Sequence, residues 1–250
     1  MTRARTAIPD LEPAMVLRAY ASGVFPMADA RDAQEIFWVE PKYRGVLPID
    51  GFRLSRSLRK TILADRFRVT VDTAFESVIQ LCAESAEDRP DTWINGAIES
   101  VFVALHRVGL AHSVECWDGD RLAGGLYGLA LGRAFFGESM VTRVRDASKV
   151  ALAHLVARLK AGGFTLLDCQ FITDHLASLG AIEIPRKRYM ALLGAALGTT
   201  SSAPSSPPSL SSADFFALDR LDPPPVTAGA GRVSSPESRK VISQLLGHTS

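Results

Sequence analysis

Between Phe67 and Leu197 the spacing of apolar residues changes in a readable order. Phe67 to Val71 alternates as a strand, and Asp72 stands where an N-cap would precede the helical stretch AFESVIQLCAE. Ile98, Val101, Phe102 and Leu105 recur at helical spacing after Gly96, which predicts a second helix ending near Gly109. His112 to Trp117 and Arg121 to Leu131 flank Asp118-Gly119, a hairpin signal, and Gly132-Arg133 leads into a third strand, Ala134 to Gly137. Leu152, Leu155, Val156 and Leu159 mark a helix stopped by Gly162-Gly163, Phe164 to Asp168 reads as a buried strand, and Arg186 to Leu197 as a last helix. Strand, two helices, an antiparallel meander, helix and strand predict an α/β (α+β) sheet domain with helices on its faces.

That domain is expected over residues 65–197. Residues 1–64 form a smaller N-terminal portion in which Pro26, Pro41 and Pro48 argue against one continuous helix. Residues 198–250 are rich in Ser, Pro, Ala and Gly, a composition that does not recover ordering entropy through a core, and are expected to be a flexible tail. Two apolar patches interrupt it, Phe215 to Leu218 and Val241 to Leu246, either of which could dock on the main domain.

Composition narrows the function. The chain has 250 residues, 47% hydrophobic and 22% charged, with a net charge of +1, so nucleic-acid binding would need a local basic patch. Cys82, Cys116 and Cys169 are scattered without a CxxC pair, which argues against disulfides and thiolate zinc and fits a reducing cytoplasm. No apolar run approaches the roughly 20 residues that span a bilayer, and the five histidines lack metal-ligand spacing.

The candidate chemistry lies in two stretches, AFFGESMVTRVRDASK and FTLLDCQFITDHLASLGA. Asp168 and Gln170, one residue apart at a strand end, share a face and can hydrogen-bond to one another or to a ligand. A carboxylate beside an amide suits the orientation of an amine in acyl transfer, although the same pair could merely finish a strand. Glu138 follows an apolar strand, where it could meet a cation or cap a turn. Arg56, Arg59 and Lys60 fall on one helical face, as a phosphate-binding stripe or a solvated one.

In combination, WIN, HSVExW, GGLYG, GESM, ASK, LLDCQ and HLASLGAIEIPR resemble, in the same order, the leucyl/phenylalanyl-tRNA-protein transferases, over about Tyr20 to Leu193. The resemblance implies a GNAT-like acyltransferase fold. It further implies transfer of Leu or Phe, and Met to a lesser extent, from aminoacyl-tRNA to the α-amine of proteins beginning with Arg or Lys, marking them for N-end-rule degradation. No metal or organic cofactor, no membrane and a cytoplasmic monomer are expected. By the same resemblance Asp168 and Gln170 are catalytic and Glu138 contacts the acceptor peptide. Leu126, Phe135, Met140, Leu152, Leu155, Leu159 and Leu167 line the aminoacyl side-chain pocket; Trp93 and Tyr20 receive the tRNA 3′ end; and Arg56, Arg59 and Lys60 hold its backbone. The chain departs from the family at Met27, where a tryptophan is frequent, and in Phe37 to Arg44, which follows the WWSPxxR element loosely.

Three rival readings are weaker. A coenzyme A acetyltransferase wants a phosphate-cradling glycine loop, but Arg121 to Leu126 has Leu126 at the last position and lies in a hairpin. A serine hydrolase at Ser139 lacks the second glycine of the nucleophile elbow. An RNA-binding adaptor could use the basic stripe and Trp93 without needing Asp168 or Gln170 for turnover.

Overall fold

The computed structural model describes residues 2–6, 11–84, 92–198, 213–221 and 238–247. In the N-terminal portion, β1 (Thr2–Thr6), α1 (Pro13–Ala21), β2 (Phe25–Met27) and β3 (Ile36–Glu40) build a small antiparallel sheet of order β1-β3-β2 beside one helix. Then β4 (Tyr43–Val46) leaves it for a second sheet, and α2 (Arg56–Leu63) follows, capped by Ser55, whose Oγ accepts from the Leu58 N–H.

Next come β5 (Arg68–Val71), α3 (Phe75–Ala83), α4 (Gly96–Arg107), β6 (Ala111–Asp118), β7 (Arg121–Leu131), β8 (Ala134–Thr142), α5 (Ala147–Ala161), β9 (Leu166–Gln170), α6 (Asp174–Ser178), β10 (Ile182–Pro185) and α7 (Arg186–Ala196). The large sheet has seven strands in the order β10-β4-β9-β8-β7-β6-β5, antiparallel except for the parallel pair β8 and β9. The expected α+β architecture is present, and the meander occurs where the Asp-Gly signal placed it. Because β4 pairs with β9 and β10, both it and α2 belong to the large sheet and its covering layer although they precede residue 65.

Alternation along the central strands sends residues into two separate cores. Tyr127, Phe136 and Leu166 face α1, α3 and α4, while their neighbours Leu126, Phe135 and Leu167 face α5. Asp72 is not a helix cap. It adopts φ +57°, accepts the Ser113 N–H at 2.8 Å and meets His112 Nδ1 at 2.8 Å, so it ties the end of β5 to β6 while α3 starts at Phe75.

Helix α5 starts five residues before its first expected marker and is buried almost all round, including His154 and Arg158. A helix without a wet face needs cover on both sides. The sheet supplies one side; α2, α8 (Ala217–Leu221) and α9 (Ser238–Leu246) supply the other. Both apolar patches of the tail therefore dock. Phe215 stacks on His112 and Phe135, Arg158 forms a two-pronged ion pair with Asp219, and Leu218, Ile242 and Leu246 are buried. Such side chains contribute about 1.5–3 kcal/mol each, enough to order a short segment despite its composition. The rest of the expected flexible tail, together with residues 1 and 7–10, lies outside the described residues.

Candidate active site

Strands β8 and β9 pair only from Ala134↔Leu166 to Phe136↔Asp168, although β8 continues to Thr142 and β9 to Gln170. A cavity of about 310 Å³ lies where the two strands part, with Gly137 to Met140 on one side and Cys169 to Phe171 on the other. On the β7 side, Tyr127 faces Ser139 and Gly128 faces Gly137, so Glu138 is the extra residue of a bulge. A bulge breaks the pleat and re-aims a side chain, here into the cavity. The chain at Gly128 has no room for a side chain: a Cβ there would lie 2.3 Å from the Phe136 carbonyl and 2.4 Å from the Phe135 ring.

Gln170 ends β9 with φ +54°, an uncommon conformation for a residue with a side chain. Two hydrogen bonds hold it. Its backbone N–H donates to Asp168 Oδ1 at 2.8 Å, and its Nε2 donates to Glu138 Oε1 at 3.0 Å. The bond expected between Asp168 and Gln170 thus runs through the Gln170 backbone, and the amide is left to bridge to Glu138.

Asp168 is fully buried and does not reach the cavity. Arg44 Nε donates to its two oxygens at 2.9 and 3.1 Å, Arg44 Nη2 lies 2.6 Å from Oδ2, and the Tyr189 hydroxyl donates to the same oxygen at 2.8 Å. The Arg44 guanidinium lies over the rings of Phe25 and Tyr189, 4.5 and 4.7 Å from their centroids. Burial works against the Arg44 charge, but Asp168 outweighs it and raises the guanidinium above its ordinary range. Burial, reinforced by Asp168, also pushes the Tyr189 hydroxyl up. Sequence reasoning assigned no role to Arg44 or Tyr189. Arg44 stood within the loosely matched WWSPxxR-like element, whereas Tyr189 resembled any apolar helix position.

Glu138 titrates at about 8. Burial is the main cause, the Asp168 charge adds to it, and contacts with Tyr20, Arg44 and Gln170 only partly offset them. Near neutrality this carboxyl is therefore mainly in its acid form, with the anion within easy reach. Burial and the Asp168 charge likewise push the Cys169 thiol up to about 12, so it is no thiolate nucleophile at neutral pH.

Of the expected pocket residues, Leu126, Met140, Leu152, Leu155 and Leu167 line the cavity. Phe135 and Leu159 do not; they fill the core, with Phe135 stacked against Phe215 and edge-on to Phe164. Trp93 lines the cavity and remains partly exposed. Tyr20 is fully buried, edge-on to Phe102 and Phe136, so it has no free ring face for a base. Its hydroxyl interacts with Glu138, off the geometry of a hydrogen bond, and its pKa is raised well above the usual value, first by burial and then by that carboxyl.

Phe25, Met27, Phe171, Thr173, His175 and Leu176 also line the cavity and carried no assigned role in the sequence reading. His175 Nε2 is buried there without a protein partner, and burial together with Lys149 lowers the imidazole pKa. Arg56, Arg59 and Lys60 are exposed on α2, away from the cavity lining. Among the described residues no group of three His, Cys, Asp or Glu side chains is placed to hold a metal, and no helix is long and apolar enough to cross a membrane.

An apolar chamber closed at one end by a titrating carboxyl and a fixed amide suits a substrate with an apolar arm and a reacting amine or ester. That arrangement, in the split of a mixed sheet, is the layout of an acyl-group transferase. The sequence model described as leucyl/phenylalanyl-tRNA protein transferase matches residues 46–194, and the one for that family's N-terminal domain matches residues 9–42. The leucyl/phenylalanyl-tRNA–protein transferase of Rhizorhabdus wittichii is 58% identical over 96% of this chain and 99% of its own. Those of Zymomonas mobilis and Rhodospirillum rubrum are 57% identical over 85% of this chain and 77% of their own, and 59% over 75% and 88%, respectively. Among solved structures, the C-terminal domain of a putative lysylphosphatidylglycerol synthetase from Agrobacterium fabrum aligns over 70% of this chain and 57% of its own, with a TM-score of 0.37 and 9% identity. The chain belongs to the leucyl/phenylalanyl-tRNA protein transferase family.

Proposed function

We propose that the protein moves leucine or phenylalanine, and methionine to a lesser extent, from aminoacyl-tRNA to the N-terminal α-amine of proteins beginning with Arg or Lys, marking them for N-end-rule degradation in the cytoplasm. The observation that carries this reading is the Glu138–Gln170 pair at the end of an apolar cavity. The leucines and Met140 receive the donor side chain, and Trp93 stacks on the terminal base of the tRNA. Arg56, Arg59 and Lys60 meet its backbone. The protein works as a monomer and without a metal or organic cofactor.

An aminoacyl ester is already activated, so the task is to hold its carbonyl against a neutral amine, and positioning can supply about 7–11 kcal/mol of the barrier. Gln170 Nε2 is engaged by Glu138, which leaves Oε1 to accept an N–H of the incoming amine. Asp168 fixes Gln170 through its backbone N–H and acts on the amine through that residue. The cationic first residue of the acceptor favours the Glu138 anion over its acid form, and the two pair as the carboxyl gives up its proton. The amine nitrogen attacks the carbonyl, a C–N bond forms and the C–O bond to the ribose breaks. The proton that the amine sheds ends on the departing ribose oxygen.

The test mixes purified protein with leucyl-tRNA labelled in the amino acid and a peptide beginning with Arg. Label should enter the free peptide and not its N-acetylated form. Binding of the tRNA without transfer would instead favour the adaptor reading, and transfer that ignores N-acetylation would overturn the amine-acceptor assignment.

A further inference from the structure

We propose that α9 is a second wall of the tRNA-binding surface, which it extends from α2 by presenting Lys240 to the phosphate backbone. The proposal rests on the aminoacyl-tRNA reading above. Helix α9 lies beyond residues 46–194, which the family's sequence model matches, yet it is firmly seated. Ile242 and Leu246 are buried against the α5 side of the core, and Ser243, itself 5% exposed, accepts a hydrogen bond from Arg59 Nε at 2.9 Å.

The contact with Arg59 fixes where α9 stands relative to the basic stripe. Lys240 precedes Ser243 by three residues, one helical turn, and so lies on the same side of α9; Arg56 precedes Arg59 by the same interval on α2. The Arg59–Ser243 bond therefore brings Lys240 alongside the stripe. Arg53, Arg56, Arg59, Lys60 and Lys240 are all exposed, and among the described residues none of them is paired with a carboxylate. With no carboxylate paired to these side chains among the described residues, the ridge presents its cations to whatever approaches.

A segment that blocked the stripe by imitating RNA would carry acids, whereas α9, SRKVISQLL, has none. Docking joins the Arg59 Nε to a neutral serine hydroxyl, so α9 adds positive charge without cancelling any. Cations that meet phosphates hold register without reading sequence, which suits an enzyme that must accept several tRNAs.

The experiment measures equilibrium binding of leucyl-tRNA to the full-length protein and to Lys240→Glu and Lys240→Arg across a salt series. Lys240→Glu should weaken binding by about three- to tenfold at low salt and reduce the slope of log K against log salt by about 0.7–0.9, one phosphate contact. Lys240→Arg should restore both. Because Lys240 is exposed, loss of fold does not account for such a change, and a purely structural α9 would leave the slope unmoved. Superimposable salt lines for the wild type and Lys240→Glu, or tighter binding by the variant, would overturn the proposal. Wild-type protein that binds tRNA but transfers nothing would fail the proposed activity alone, since the surface is still judged by the slopes.

Discussion

Replacing Asp168 by Asn isolates the charge at the centre of the buried network while nearly preserving its shape. In the wild type the carboxylate accepts from Arg44 Nε and Nη2, from the Tyr189 hydroxyl and from the Gln170 N–H, all within a fully buried pocket. The amide of Asn offers one acceptor where the carboxylate offers two, and it leaves the Arg44 charge buried without a counterion. Breaking one partner of a buried pair costs about 3–5 kcal/mol, which for a chain of this size lowers Tm by roughly 6–20 °C at about 2–4 °C per kcal/mol. The functional loss follows from Gln170, because its left-handed backbone loses one of its two restraints. A displacement on the order of 1 Å lowers the transfer rate about 100-fold. Urea denaturation and single-turnover transfer from leucyl-tRNA, both below the variant's unfolding temperature, read the two effects separately. A variant that loses less than about 1 kcal/mol of stability would contradict the buried-pair argument. One that keeps its single-turnover rate would show that Asp168 does not position Gln170.

Glu138 sets a pH dependence of opposite sign to that of most carboxylates. The folded protein holds this proton up to about pH 8 and the unfolded chain only to about 4.5, so between these values the fold binds more protons and stability falls as pH rises. Glu138→Gln should therefore be more stable than the wild type above pH 8 in thermal melts, yet bind an Arg-initiated peptide more weakly; equal melting at high pH would show that the carboxyl carries no burial penalty. Leu152→Phe places extra bulk in the cavity of about 310 Å³ and should lower phenylalanine transfer relative to leucine by about 10–200-fold in kcat/KM. An unchanged ratio would remove Leu152 from the pocket. Trp93→Ala should weaken binding of an aminoacyl-adenosine by about 1–3 kcal/mol, measured by calorimetry, and an unaltered Kd would place the base elsewhere.

Local rules made most of the elements legible in advance. The Asp118-Gly119 turn, the i, i+3, i+4 apolar spacing of α4 and the glycines after α5 each depend on nearby residues alone, and each element stands close to its expected place. Glu138 and Gln170 were both legible as candidates, and five of the seven residues expected in a pocket do border the cavity, but the expected side-chain pairing of Asp168 with Gln170 is replaced by a Glu138–Gln170 bond. The rest depended on which strands meet. No local signal tells that β8 and β9 separate after Phe136 and Asp168, that a bulge turns Glu138 into the gap, or that Arg44 crosses from another strand to neutralise Asp168. Phe135 and Leu159 have the same apolar character as Leu126 and Leu155, and only packing decides which of them faces the cavity and which fills the core. The tail shows the same limit: its polar composition predicted freedom, while the uncovered face of α5, formed by residues some 60 to 90 positions earlier, decided that Phe215 and Ile242 are buried.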